Sequence, residues 1–168
     1  MSTIIKSKEL EFLDNKSSVD NFRIQTAVPR LSQLVKSKNI EFDIRKLNPD
    51  QYSYPYHFHR HAEELMYIIC GSLTLRTDKG LQVVNQGDLI FFEMGKSGAH
   101  QLYNHTNEPS TYLDLKTYLD NDICEYPDSG KVNISHGREV FEKSSEVDYF
   151  KGEENVKEIW KNLRNKEK

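Results

Sequence analysis

Cysteine, long apolar runs and an excess of basic residues are all scarce in this sequence. Its two cysteines, Cys70 and Cys124, lie far apart and show no metal-type or disulfide-type pairing, which favours a reducing cytoplasm. No stretch approaches the ~20 apolar residues that a membrane span needs. Residues 1–18 also lack the unbroken apolar core of a signal peptide. We therefore expect a cytoplasmic protein that does not insert into a membrane.

The charge balance excludes a second class of protein. The net charge of −3 and the pI near 6.1 argue against a nucleic-acid binder, which usually carries a basic stripe. With 168 residues, 36% of them hydrophobic and 29% charged, the chain has the size and composition of one soluble domain. We predict a flexible N-terminal arm (1–20), one domain (21–150) and a C-terminal amphipathic helix (151–168).

From residue 40 onward, short apolar segments alternate with turn residues. The first of them, IEFDIR at residues 40–45, alternates apolar and charged residues, which is typical of a half-buried strand. Asn48-Pro49-Asp50 and Asp78-Lys79-Gly80 have turn chemistry. Closely spaced strands without helical patterns between them predict an all-β sandwich or closed barrel.

Helical periodicity is seen only near the C-terminus. Val156, Ile159, Trp160 and Leu163 recur at helical spacing and form one apolar stripe. We expect this short helix to pack against the barrel wall or against a sister subunit.

The segment HFHRHAEELMYIICG, residues 57–71, holds the chemistry-bearing residues. On an extended strand the side chains of His57 and His59 point to one face, and Glu64 starts the next strand. A buried carboxylate beside two buried imidazoles is costly unless the groups are paired or bind a metal. His100 is the fourth candidate, because a glycine-containing loop returns the chain to the same end of the barrel.

These two blocks resemble the paired signature motifs of the cupin superfamily. His57, His59, Glu64 and Gly71 match the first motif, His-x-His, four residues, Glu, six residues, Gly. The second runs from Gly87, with His100 and Asn104 in the His-x-x-x-Asn arrangement. The run CEYPDSGKV that follows is similar to small stand-alone bacterial cupins.

The resemblance implies a fold and a metal site. It implies a cupin-type double-stranded β-helix, a jelly-roll barrel, and it assigns metal binding to His57, His59, Glu64 and His100. Three departures from the motifs concern turns: Gln51 replaces a glycine, Glu93 replaces a proline, and two extra residues separate Gly95 from His100.

Several neighbouring residues compete for these roles. Glu63 is the rival of Glu64, and a His59/His61 pair is an alternative to His57/His59. We expect His105 and His136 to lie on the surface. Cys70 shares the inward face of its strand with Glu64, Met66 and Ile68, so we expect a small buried side chain there. Met66, Ile68 and Leu102 are expected to line a dry pocket around the metal.

Three imidazoles and one carboxylate suit one divalent ion such as Zn, Fe, Mn, Ni or Co. Open coordination positions would then allow Lewis-acid or water-activating chemistry.

The first hypothesis is a metal-dependent enzyme, an isomerase, dioxygenase or decarboxylase, that acts on a sugar, hydroxy acid or keto acid. The second is a non-catalytic module that binds a small molecule and acts through a partner. A barrel without function is the third, and a homodimer is implied by the resemblance.

Overall fold

The structure, a computed structural model, describes residues 2–15, 17–134 and 139–166. Strands dominate these ranges, and they are β1 (Glu11–Asp14), β2 (Gln25–Val28), β3 (Ile40–Leu47), β4 (Phe58–His59), β5 (Glu64–Cys70), β6 (Ser72–Thr77), β7 (Gly80–Asn85), β8 (Leu89–Phe92), β9 (Gln101–Tyr103), β10 (Ser110–Thr117), β11 (Ile123–Tyr126), β12 (Lys131–Ile134) and β13 (Glu139–Glu142). The α-helices are α1 (Leu31–Leu34) and α2 (Val156–Lys166). The all-β prediction with a short C-terminal helix is confirmed. Helix α1 has no counterpart in the sequence pattern.

The strands form three antiparallel sheets. The main sheet has the order β1-β2-β3-β10-β5-β8, and the smaller sheets have the orders β13-β12-β11-β4 and β7-β6-β9. Strand β1 lies inside the predicted arm of residues 1–20 and pairs with β2. Where the flexible arm ends and the domain begins stays a prediction.

The apolar core joins the main sheet to the β7-β6-β9 sheet. Met66 and Ile68 come from β5, Tyr112 comes from β10, and Leu73 and Leu102 come from β6 and β9; all five are almost fully buried. Each of the buried Leu, Ile and Met side chains contributes about 1.5–3 kcal/mol. This cluster fixes the separation between the two sheets.

Strand β3 forms as predicted, but its charged side faces inward. Asp43 and Arg45 are buried, whereas Ile40 is 39% exposed. Burial of these charges is tolerated because each is paired. Arg45 Nε donates to Asp114 Oδ2 at 3.1 Å, and Asp43 accepts hydrogen bonds from Arg30 and from the Leu31 amide. The strand therefore contributes polar groups to the barrel interior.

Cys70 corrects the expected face of β5. Glu64, Met66 and Ile68 are buried as predicted, but Cys70 is exposed. The pairing of β10 with β5 shifts register between Thr111 and Tyr112, so the alternation of faces is broken before Cys70. Gly71 then adopts a φ of +87°, and a Cβ atom there would lie 2.4 Å from Ser110 Oγ.

Helix α2 carries the predicted stripe of apolar side chains, and no other part of the described chain covers it. Its apolar side chains are each about half exposed, and they are Val156, Ile159, Trp160 and Leu163. Packing against the barrel wall is therefore not observed, and packing against a sister subunit stays a prediction. Neither described helix has the length and apolar character to cross a bilayer.

Candidate metal centre

The four predicted ligands come from three parts of the chain that the fold brings close together. His59 is in β4, Glu64 begins β5, and His57 and His100 form an isolated antiparallel bridge. The His57 amide donates to the His100 carbonyl at 3.2 Å, and the His100 amide donates to the His57 carbonyl at 2.9 Å. All four residues are buried. Backbone pairing thus holds two of the imidazoles side by side.

Each imidazole is oriented by an acceptor at Nδ1. His57 Nδ1 lies 2.8 Å from the Pro55 carbonyl, and His100 Nδ1 lies 2.9 Å from the Gly98 carbonyl. His59 Nδ1 lies 2.5 Å from Asp122 Oδ2. When Nδ1 carries the proton, Nε2 presents a lone pair, which is the tautomer that a metal-binding histidine uses.

Glu64 is the carboxylate on which these rings converge. Its Oε2 atom is 3.4 Å from His59 Nε2 and 3.4 Å from His100 Nε2. Both Glu64 Oε2 and His100 Nε2 are buried and have no hydrogen-bond partner among the described residues. Unpartnered buried polar atoms are costly. A cation between them would satisfy both atoms, so the donor set fits a divalent metal ion.

The ligand atoms fall into two overlapping groups, in each of which they lie within 4.8 Å of one another. One group is His57, Glu64 and His100, and the other is His57, His59 and Cys124. The second group includes a cysteine that the motif does not contain. Cys124 faces the site because β11 pairs with β4 and places it opposite His59.

The electrostatics of the imidazoles differ. Burial, together with the neighbouring His100, lowers the pKa of His57 to about 3. Burial alone would also lower the pKa of His59, but the carboxylates of Asp122 and Glu64 outweigh it and raise this pKa to about 9. His57 is therefore already in its metal-binding form at neutral pH, whereas His59 must release a proton to bind a metal.

Asp122 is a site residue that sequence reasoning did not find. It is 2% exposed, and its carboxylate also accepts a hydrogen bond from the His61 amide at 3.3 Å. It sits in the polar run LDND with no motif around it. Only the pairing of β11 with β4 brings it to His59.

The segment between Gly95 and His100, where the sequence is two residues longer than the motif, contains a tight turn. Residues Lys96–Gly98 make one 3₁₀ turn that ends in Ala99. A Cβ atom at position 98 would lie 1.9 Å from the Glu93 carbonyl oxygen, so only glycine fits this close approach. Gly98 is buried and supplies the carbonyl that orients His100.

A cavity of about 250 Å³ opens onto the candidate metal centre. Its walls are mostly polar and charged, which corrects the expected dry pocket: Met66, Ile68 and Leu102 belong to the apolar core. The cavity is lined by His57, His59, Glu64 and Cys124, and beyond them by Arg30, Glu41, Phe42, Arg45, Tyr54, Asp114, Lys116, Tyr126 and Asn133.

The charges in this cavity are arranged in pairs. Arg45 contacts Asp114, and Lys116 Nζ lies 3.4 Å from Glu41 Oε2. Burial and the nearby negative charge of Glu64 raise the pKa of Asp114 to about 7. The cavity therefore offers both donors and acceptors to a polar ligand.

The competing residues lie away from the centre. Glu63, His61 and His105 are exposed, and His105 Nδ1 lies 2.9 Å from Thr74 Oγ1. Glu64 rather than Glu63 thus occupies the buried position that the motif spacing predicts. His136 falls outside the described residues.

Residues 44–116 match a family model for the cupin domain. A search of curated proteins gave no match. Among solved structures, a sugar phosphate isomerase of the cupin superfamily from Silicibacter pomeroyi is 20% identical, with a TM-score of 0.73 over 88% of this chain and 98% of that one.

Two further structures show the same fold with other activities in their names. A predicted oxalate decarboxylase from Thermotoga maritima is 20% identical, with a TM-score of 0.57 over 70% of this chain and all of that one. A polyketide cyclase from Streptomyces resistomycificus is 17% identical, with a TM-score of 0.55 over 70% of this chain and 80% of that one. Three named activities on one fold mean that the fold does not select the reaction.

Proposed function

We propose that this chain, whose residues 44–116 match the cupin domain and whose fold is shared with cupin structures, is a metal-dependent enzyme acting on a small oxygen-rich metabolite. The observation that carries the proposal is the pair of unpartnered buried atoms, Glu64 Oε2 and His100 Nε2, of which Glu64 lines the polar cavity. A buried arrangement of this kind is stable only with a cation or proton between its members.

The proposed ligands are His57, His59, Glu64 and His100, and the proposed ion is one divalent metal, Zn, Fe, Mn or Ni. Nitrogen and carboxylate donors in this ratio suit all four metals. When bound, such an ion polarises a carbonyl or hydroxyl oxygen or activates water. Asp122 holds the ring of His59 in its ligating orientation, as carboxylates do for histidine ligands in other metal sites.

The cavity supports a small polar substrate. Its volume of about 250 Å³ is below the usual range of drug-sized pockets, roughly 300–1,000 Å³. Arg30, Arg45 and Lys116 can donate to hydroxyl, carboxylate or phosphate oxygens, while Asp114 can accept from hydroxyl groups. A sugar derivative, a hydroxy acid or a keto acid has this chemistry. Sugar phosphates are the first class to test, since one of the similar structures is named as their isomerase.

Elemental analysis tests the metal site. The full chain is purified without chelator and without an affinity tag that binds metal, beside His57→Ala and Glu64→Ala. We expect near-stoichiometric metal in the wild type and little in either variant. His105→Ala is the matched control, because His105 is exposed and lies away from the centre. Absence of metal from the wild type, even after incubation with each candidate ion, would overturn the proposal.

Turnover is then tested with the metal-loaded protein. A panel of sugar phosphates, free sugars, hydroxy acids and keto acids is incubated with it and followed by NMR. We expect conversion of at least one compound by the wild type and none by Glu64→Ala. Tight binding of a panel compound that is recovered unchanged would instead identify a non-catalytic binding module.

The binding module is the second candidate, and one observation favours it. Helix α2 exposes Ile159, Trp160 and Leu163, and a module that acts through a partner needs such a surface. A homodimer is a related proposal, supported by the exposed apolar residues Leu89 and Phe91 on the outer face of the main sheet. Light scattering of the intact chain would show a monomer if the dimer proposal is wrong. A cytoplasmic location and a bacterial source stay predictions.

A further inference from the structure

We propose that Cys124 is a direct metal ligand, and that its sulfur forms with His57 and His59 a second coordination arrangement for thiophilic ions. The inference rests on the metal site proposed above and goes beyond it in naming a fifth ligand. The two arrangements share His57, and they differ in whether the remaining donors include a carboxylate or a thiolate.

Strand pairing fixes Cys124 at the centre. Cys124 in β11 is directly opposite His59 in β4, and its side chain is buried with only 5% exposure. Its Sγ atom, one ring nitrogen of His57 and one ring nitrogen of His59 all lie within 4.8 Å of one another. These three donors can therefore reach one ion.

Cys124 is buried beside the polar cavity rather than within an apolar cluster of the described chain. It lines the polar cavity together with Tyr126 and Asn133, and it belongs to neither apolar core cluster among the described residues. Asp122, two residues earlier on the same segment, anchors His59. The segment thus delivers one group that orients a ligand and a second group that can itself coordinate.

Coordination of a metal ion by Cys124 releases one proton. The Cys124 thiol loses its proton to solvent as the sulfur lone pair forms the bond to the ion, and nothing is oxidised or reduced. Thiolate favours Zn, Co and Cd, whereas Mn and Mg prefer oxygen donors. The proposal therefore predicts that the effect of losing Cys124 depends on the ion. Binding of thiophilic ions should weaken, and Mn binding should stay nearly unchanged.

Cobalt spectroscopy provides the direct test. The metal-free full chain is titrated with Co²⁺ as wild type, as Cys124→Ser and as Cys70→Ser. We expect a near-ultraviolet sulfur-to-cobalt charge-transfer band in the wild type and in Cys70→Ser. Cys124→Ser should lack this band but keep the visible cobalt bands. Cys70→Ser is the matched control, because Cys70 is the exposed cysteine.

Affinity gives a second measurement. Losing an outer-shell partner of a metal ligand costs about 10–100-fold in affinity, and we expect Cys124→Ser to lose at least that much for Cd²⁺. Its affinity for Mn²⁺ should stay within a few-fold of the wild type. Cadmium NMR of the wild type reports sulfur coordination from the chemical shift, and so it tests the proposal even if Cys124→Ser does not fold.

The failures of the two proposals are distinguishable. Stoichiometric cobalt in the wild type without the charge-transfer band, or a wild-type cadmium shift typical of nitrogen and oxygen donors alone, overturns the role of Cys124 and leaves the metal-dependent enzyme standing. A wild type that binds none of these ions overturns the metal site itself, and the inference falls with it.

Discussion

The two ends of the barrel interior differ in chemistry although the same strands build both. Strand β5 contributes Glu64 to the candidate metal centre and Met66 and Ile68 to the apolar core. The same change occurs between His100 and Leu102, which are two residues apart. His100 belongs to the candidate centre, and Leu102 belongs to the apolar core. Moving two residues along a strand changes the environment from a polar cavity to close-packed hydrocarbon.

This division separates the sources of stability and of function. The core end buries apolar surface, which stabilises the fold. The centre buries groups that cost free energy until they are paired, and two of its atoms have no partner among the described residues. Substitutions at the core end should therefore change stability, and substitutions at the centre should change metal binding.

The largest effect is expected at Glu64. Glu64→Gln keeps the shape of the side chain but removes the charge that lies between His59 and His100, so bound metal should fall from near-stoichiometric to near zero. Glu63→Gln, at the exposed neighbouring position, should keep its metal. Equal metal content in the two variants, measured by elemental analysis, would show that Glu64 is not a ligand.

Ile68 tests the core end. Ile68→Ala leaves a cavity in a fully buried cluster, and we expect unfolding to become easier by about 2–5 kcal/mol. Leu81→Ala is the control, because Leu81 is 74% exposed and should change stability by less than about 0.5 kcal/mol. Urea denaturation measures both variants. Folded Ile68→Ala should still bind metal, and loss of its metal would break the division between the two ends.

Asp122 should have an intermediate effect on binding. Asp122→Asn removes the charge that orients His59, and loss of such a partner lowers metal affinity by about 10–100-fold. At saturating metal the stoichiometry should be unchanged, since no direct ligand is removed. Chelator competition gives the affinity, with Asp128→Asn, an ion pair partner of Arg76 on the surface, as the control. An unchanged affinity in Asp122→Asn would contradict the role given to it.

Phe92 joins the two ends and should show the smallest effect. Its ring belongs to the core cluster and also stacks on the His100 imidazole, with centroids 3.8 Å apart. Phe92→Leu loses a ring pair that contributes about 0.5–1.5 kcal/mol. We expect a small loss in both thermal stability and metal affinity. A change in only one of them would place Phe92 at one end and sharpen the boundary.

The local part of the candidate site, the proximity of its first three residues, could be predicted from the sequence. His57, His59 and Glu64 are close in the chain, and strand periodicity decides which of their side chains share a face. The same periodicity separates Glu64 from Glu63. The apolar segments with turns between them likewise predicted an all-β barrel, because few other arrangements bury so many short strands.

The period-2 pattern did not predict which side chains face inward where contacts with distant strands decide it. In β3 the alternation of apolar and charged residues does not show which side faces inward. Asp43 and Arg45 are tolerated inside because Arg30 and Asp114 neutralise them. In β5 the register shift opposite Thr111 turned Cys70 outward. Neither partner is encoded in the strand that it affects.

The sequence by itself determined the barrel, the terminal helix and a short-range motif of two histidines and a glutamate, because these depend on side-chain order over a few residues. The tertiary structure alone decided that Asp122 orients His59, that Cys124 reaches the same centre and that charged walls enclose the cavity. The physical reason is that strand register across more than sixty residues is set by the packing of the whole barrel, which no local pattern records.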